Sequence, residues 1–194
     1  MSLKEKLISS HIVFQESLDP NSPIYDLRNQ AIKEFEEVGF PTKKDESWKY
    51  TSLNKVTKPD YSLFPTGEAG LDYKDIKPYF LHNLDTYKIV FIDGVFSSHL
   101  SETTHAGIDV CTMRSALTKS QYKAVIDVYF NKIAPKESLV SLNTAFTNEG
   151  AYINIPSNKV ADKPIEIVYF STGNEAATML QPRNLVVAGE NTEV

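Results

Sequence analysis

Few residues in this chain could do chemistry by type and spacing, and each has an ordinary reading as well. Cys111 is the only thiol; cluster or zinc ligation draws on several Cys or His ligands brought together, and a lone Cys in an apolar run more often fills a core. His99 and His105 flank Glu102, a pattern open to metal or acid–base chemistry. Their spacing matches no His-Glu-x-x-His arrangement, and polar residues in a turn meet the ordinary need for hydration. Trp48, Tyr50, Tyr61, Phe64 and Tyr73 offer aromatic planes for a sugar or peptide, yet read first as core and loop anchors. Lys43, Lys44 and Lys49 form a basic spot that Asp45 and Glu46 interrupt. No Gly-rich phosphate loop occurs, and no nucleophilic Ser–His–Asp set can be assigned. The sequence therefore assigns no catalytic, cofactor-binding or metal residue.

Composition narrows the function classes further. The chain has 194 residues, 41% hydrophobic and 23% charged, the balance of a folded globular protein rather than a disordered one. Its 25 acidic against 20 basic side chains give a net charge of −5, the wrong sign for a surface that neutralises phosphates. Nucleic acid is not an expected partner. Met1-Ser-Leu-Lys-Glu-Lys carries charges where a signal sequence would be apolar, and the most apolar runs, 89–92 and 165–170, have only strand length. These features and the single cysteine point to the cytoplasm, with no membrane span.

The elements that would position any site follow from periodicity. Leu3, Leu7, Ile8 and Phe14 trace one helical stripe. Ser22 and Pro23 mark the cap and first position of a second helix, with Ile24, Leu27, Ala31, Phe35 and Val38 on one face and Gly39-Phe40-Pro41 as its stop. Thr42 with Asp45 and Glu46 offers capping for a short turn carrying Trp48, which should pack against both helices and be largely buried. Residues 54–72 read as irregular.

From Tyr87 the period changes to two. Residues 87–92, the pair Asp93-Gly94 and residues 95–100 spell a hairpin with a type I′ turn. A strand at 108–113 and a helix from Tyr122 through Ile133, stopped by Pro135, follow. A short helix over 138–148 leads to Gly150. Strands at 151–156, 165–170 and 184–188 then alternate with polar turns. Such strands could be the first rungs of a stacked β structure, in which each coil buries its faces only against neighbours. Val194 falls where a turn would hand over to the next strand. The chain thus reads as cut from a longer protein, with an open last edge that favours self-association.

Three groups of residues, in order, resemble the N-terminal half of the SufB/SufD family of bacterial iron–sulfur cluster assembly, and within it the SufD branch. The first is Arg28, Ala31 and Phe35, followed by Gly39-Phe-Pro-Thr and Glu46-Ser-Trp-Lys-Tyr-Thr. The second is Leu142-Asn-Thr-Ala-Phe-Thr-Asn-Glu-Gly-Ala with Ile153-Asn-Ile-Pro and Pro164-Ile-Glu-Ile. The third is Pro182-Arg183-Asn184 before Leu185. Residues 54–135 carry little of this signal.

The resemblance implies an α+β fold: an N-terminal helical or mixed domain over 1–136, then the first strands of a right-handed parallel β-helix over 137–194. It implies a non-catalytic scaffold subunit that works with a SufB-like subunit and a SufC-like ATPase. The iron–sulfur cluster would belong to the whole complex, and this chain alone should bind neither iron nor nucleotide. Two rivals stand beside it: a β-helix carbohydrate-active protein, for which Glu166 and Glu190 are poor support, and a free-standing interaction module docking through its first helix.

Overall fold

A computed structural model of the chain describes residues 1–64, 70–105, 107–173 and 177–193. The architecture is α+β, six α-helices and seven strands among the described residues, packed as two compact units. One unit takes residues 1–63 and 117–147, the other residues 64–116 and 148–194.

The first unit is helical. Helix α1 (Leu3–Glu16) starts with a capping box in which Ser2 Oγ accepts from Glu5 N and Glu5 Oε2 accepts from Ser2 N. It buries Leu3, Leu7, His11 and Phe14. Helix α2 (Tyr25–Val38) buries Arg28, Ala31, Ile32 and Phe35 and ends at Gly39, whose φ of 74° needs a residue without a Cβ. Its start departs from the expectation at Ser22 and Pro23. Ile24 is the cap residue, and the Ser22 carbonyl instead closes a turn by accepting from Tyr25 N.

A single 3₁₀ turn, Glu46–Trp48, follows, with Thr42 N and Oγ1 both donating to Asp45 Oδ2. Trp48 is half-buried rather than largely buried, because this turn buries none of its residues. Helix α5 (Ser120–Tyr129) is shorter than the periodicity suggests: Phe130 is extended and Asn131 turns left-handed at φ 61°, leaving Ile133 fully exposed. Helix α6 (Ser138–Ala145) packs along α2.

The second unit holds two sheets. In one, β1 (Tyr87–Ile92) lies between β2 (Val95–Phe96) and β6 (Ile165–Phe170), antiparallel to β2 and parallel to β6. The turn is as its sequence implies: Asp93 and Gly94 both have positive φ, 46° and 81°. Only two residues of the returning segment pair as strand. Strand β1 is an unbroken apolar run because both its faces are covered. Ile89 and Phe91 pack with Ile108, Val110, Ile153 and Ile155, whereas Val90 and Ile92 pack with Ile76, Phe80 and Leu100.

In the other sheet the order is β3 (Thr104–His105), β4 (Ile108–Thr112), β5 (Ala151–Ile155), β7 (Leu185–Ala188). Strand β7 runs parallel to β5, with Tyr152 opposite Leu185. The same spacing continues beyond the strands: Asn191 Nδ2 donates to Asn158 Oδ1, 33 residues away, and Val160 bridges Glu193 in parallel. Two short helices were not evident from periodicity. Helix α3 (Tyr73–Ile76) is set by a capping box between Asp72 and Asp75, and α4 (Met113–Thr118) by Thr112 Oγ1 accepting from Ser115 N. Among the described residues no helix is long and apolar enough to cross a membrane.

Candidate functional site

In the helical unit the polar side chains converge around Phe14 and Phe146, whose rings lie 5.5 Å apart. Arg28, 1% exposed, donates from Nε and Nη2 to the carbonyl oxygen of Thr147 at 3.0 and 2.5 Å, and its guanidinium sits 5.9 Å from the Phe14 ring centre. His11 packs edge-on against Phe146 at 5.4 Å and hydrogen-bonds the backbone of Ala145. Gln15, one helical turn on, donates to the Tyr25 carbonyl at 3.3 Å. Burial dominates the electrostatics. It lowers the Arg28 pKa to about 10, and it lowers that of His11, an effect that the Ala145 bond opposes and the Arg28 charge reinforces. Trp48 Nε1 donates to Glu137 Oε1, and Ser141 Oγ donates to Glu34 Oε2 at 2.9 Å.

The strand unit has its own polar set. Arg114 pairs with Glu149, whose pKa is raised by burial against the pull of that arginine. Arg183 N donates to the Glu149 carbonyl, and Asn184 Oδ1 accepts from Ala151 N at 2.7 Å and from the Tyr169 hydroxyl at 2.6 Å. Gly150 has φ 135°, and a Cβ there would run into the Arg183 carbonyl. The second and third groups of motif residues are thus stacked on each other through backbone and Asn184. Arg28 ties the first group to the second within the helical unit.

The residues weighed for chemistry are not brought into a common site. His99 shares its nitrogens between Ser97 Oγ and the Leu71 carbonyl, whereas His105 bonds the Glu102 carbonyl and stacks edge-on at 4.1 Å from Tyr87. Glu102 thus meets His105 through its backbone. Among the described residues no three His, Cys, Asp or Glu side chains cluster as metal ligands. Cys111 lies on β4 opposite Tyr152 and is half-buried, not the sealed core filling its apolar run suggests, because its sheet face is only partly covered. Both Glu166 oxygens are engaged, accepting from Leu81 N and Thr86 Oγ1, so the carboxylate anchors a loop. Tyr50 projects into solvent and Tyr73 is half exposed, which leaves the aromatic residues as dispersed anchors.

His11 and Gln15 were not singled out by sequence reasoning. The signal was present: positions 3, 7, 11 and 14 share one helical face, so His11 had to lie among the apolar residues.

Hydrogen bonds between motif residues hold the segments of each unit together: Arg28 on Thr147 in the helical one, Asn184 on Ala151 in the other. Residues 5–167 match the SufBD protein N-terminal region, and the chain belongs to the SufB/SufD family. It is 27% identical over 175 residues to an iron–sulfur cluster assembly SufBD family protein of Synechocystis, an alignment covering 90% of this chain and 38% of the relative. It is 24% identical over 188 residues to the iron–sulfur cluster assembly protein SufD of Bacillus subtilis, covering 93% of this chain and 42% of that one. The chain thus spans about two fifths of the length of these curated relatives.

Proposed function

We propose that the chain is the N-terminal portion of a SufD-like scaffold subunit acting in iron–sulfur cluster assembly. The observation that carries the proposal is the family match over 5–167, together with two relatives whose names state iron–sulfur cluster assembly. In this reading the protein is non-catalytic and cytoplasmic, and it works beside a SufB-like subunit and a SufC-like ATPase. The cluster is cargo of the complex, and this portion holds none of it. The part played here is to start and brace a right-handed parallel β-helix. The parallel pairing of β5 with β7, with its spacing of 33 residues kept from strand to turn, supports that reading, since stacked coils require a constant offset.

The test is affinity capture of the full-length protein from its own cytosol. Recovery of an ATPase together with a second SufBD-family subunit is the expected result. Recovery of neither, or turnover of a saccharide by the purified protein, would overturn the proposal. Anaerobic reconstitution of the 194-residue chain with iron and sulfide checks the cargo claim: no stoichiometric visible absorption is expected.

A further inference from the structure

Three of the most deeply buried polar side chains in the helical unit each keep one atom that pairs with no described protein group: Arg28 Nη1, His11 Nε2 and Gln15 Oε1. Their parent residues are 1%, 3% and 6% exposed. An unpaired polar atom at that depth is destabilising, so three of them on two neighbouring helices call for a ligand rather than for tolerance.

Arg28 and His11 lie around the same aromatic pair, the first against Phe14 and the second against Phe146. His11 and Gln15 are one turn apart on α1, and such positions face the same way. The other Gln15 amide atom reaches the Tyr25 carbonyl on α2, and Arg28 sits three residues further along that helix. Arg28 holds Thr147, while His11 bonds the backbone of Ala145, two residues earlier.

The donor and acceptor pattern selects the ligand. Gln15 Nε2 is fixed as the amide nitrogen because it meets a carbonyl, so its unpaired atom is an oxygen that can only accept. His11 meets the Ala145 backbone and its Nε2 is unpaired, so the bond to Ala145 falls to the other ring nitrogen as donor, which leaves Nε2 of the neutral ring as a second acceptor. Arg28 Nη1 can only donate. One donor and two acceptors are the complement of a molecule that accepts one hydrogen bond and donates two. We infer that Arg28 Nη1, Gln15 Oε1 and His11 Nε2 together bind a single internal water. A small anion would offset the arginine charge, but it would face two lone pairs with no proton to share. Three partners are the usual number for a buried water.

The water would join α1, α2 and the residues after α6 at the point where motif residue Arg28 is pinned. A crystal structure of the chain, soaked in bromide, tests the site directly. Expected is one solvent peak within about 3.2 Å of all three atoms and no anomalous signal there. A bromide peak would replace the water by an anion, and a dry site with the three side chains re-paired would end the inference. Oxygen-17 relaxation dispersion gives a solution readout. One long-lived water should vanish in Gln15→Met, which keeps the side-chain length, and in His11→Phe, which keeps the ring. An unchanged count in both folded variants would overturn the assignment.

Discussion

Arg28 Nε and Nη2 both donate to the carbonyl of Thr147, 119 residues further along the chain, in a site almost closed to bulk solvent. The guanidinium is used as a fork on a single backbone oxygen, and a lysine ammonium cannot reproduce that geometry. Thr147 is itself fully buried, so a weakened bond leaves a carbonyl without solvent to turn to. Arg28→Lys should therefore lose on the order of 1–3 kcal/mol in urea unfolding. A lysine variant as stable as the parent would show that the fork pins nothing.

His11 makes stability depend on pH. Burial is the main cause lowering its pKa below 6.5, so the folded state resists a proton that the unfolded chain accepts. Where the unfolded state binds more protons, stability rises with pH. This contribution is therefore intact above 6.5 and is lost as pH falls through that value toward the lower folded pKa. Denaturation of the parent at pH 7 and pH 5.5, beside His11→Phe, checks the sign: the parent should weaken more than the variant. Equal weakening would assign the slope to other groups.

Gly150 is where the chain enters β5 and where Arg183 crosses closest. A methyl there meets the Arg183 carbonyl in a backbone conformation already unfavourable for other residues, at φ 135°. Gly150→Ala should cost on the order of 3 kcal/mol, combining backbone strain with overpacking. Gly173 is the control, since it has φ 67° but open space around its missing Cβ. Gly173→Ala should cost about 1 kcal/mol, the left-handed penalty alone. Similar thermal shifts for the two variants would mean that the stacking of β5 against 183–185 is loose.

Local chemistry made much of this fold readable, and long-range pairing made the rest unreadable. Asp93-Gly94 announced its turn because few residue pairs accept two positive φ values, and Gly39 announced the end of α2 for the same reason. The limits of α5 were hidden because Phe130 and Ile133 continue the helical stripe of Tyr122, Ile126 and Tyr129 past the point where the helix stops: Phe130 is buried from an extended conformation and Asn131 reverses direction. Trp48 looked like a core residue by type, yet its Nε1 finds a carboxylate at Glu137 and the ring stays half-buried. The parallel pairing of β1 with β6 joins residues almost eighty positions apart, and no short-range pattern encodes it. At the polar cluster, the helical phase placed His11 on the buried face, whereas the groups that His11 and Arg28 meet, at Ala145 and Thr147, are backbone atoms with no signature in side-chain identity.

Strand β7 supplies the last prediction. It is the outer strand of its sheet, bonded to β5 on one side, and Val186 on it is 54% exposed. A parallel edge that pairs with no further strand among the described residues, with an apolar side chain in solvent, is a template for another copy. The 194-residue chain should therefore self-associate with rising concentration through residues near 184–193. Val186→Lys places a charge at the edge that a second strand would have to bury, so it should return the chain to a monomer without changing its helical content. Size-exclusion chromatography with light scattering, read together with circular dichroism, separates the outcomes. A parent chain that stays monomeric while amide exchange shows β7 protected would mean that this edge is already satisfied within the fold.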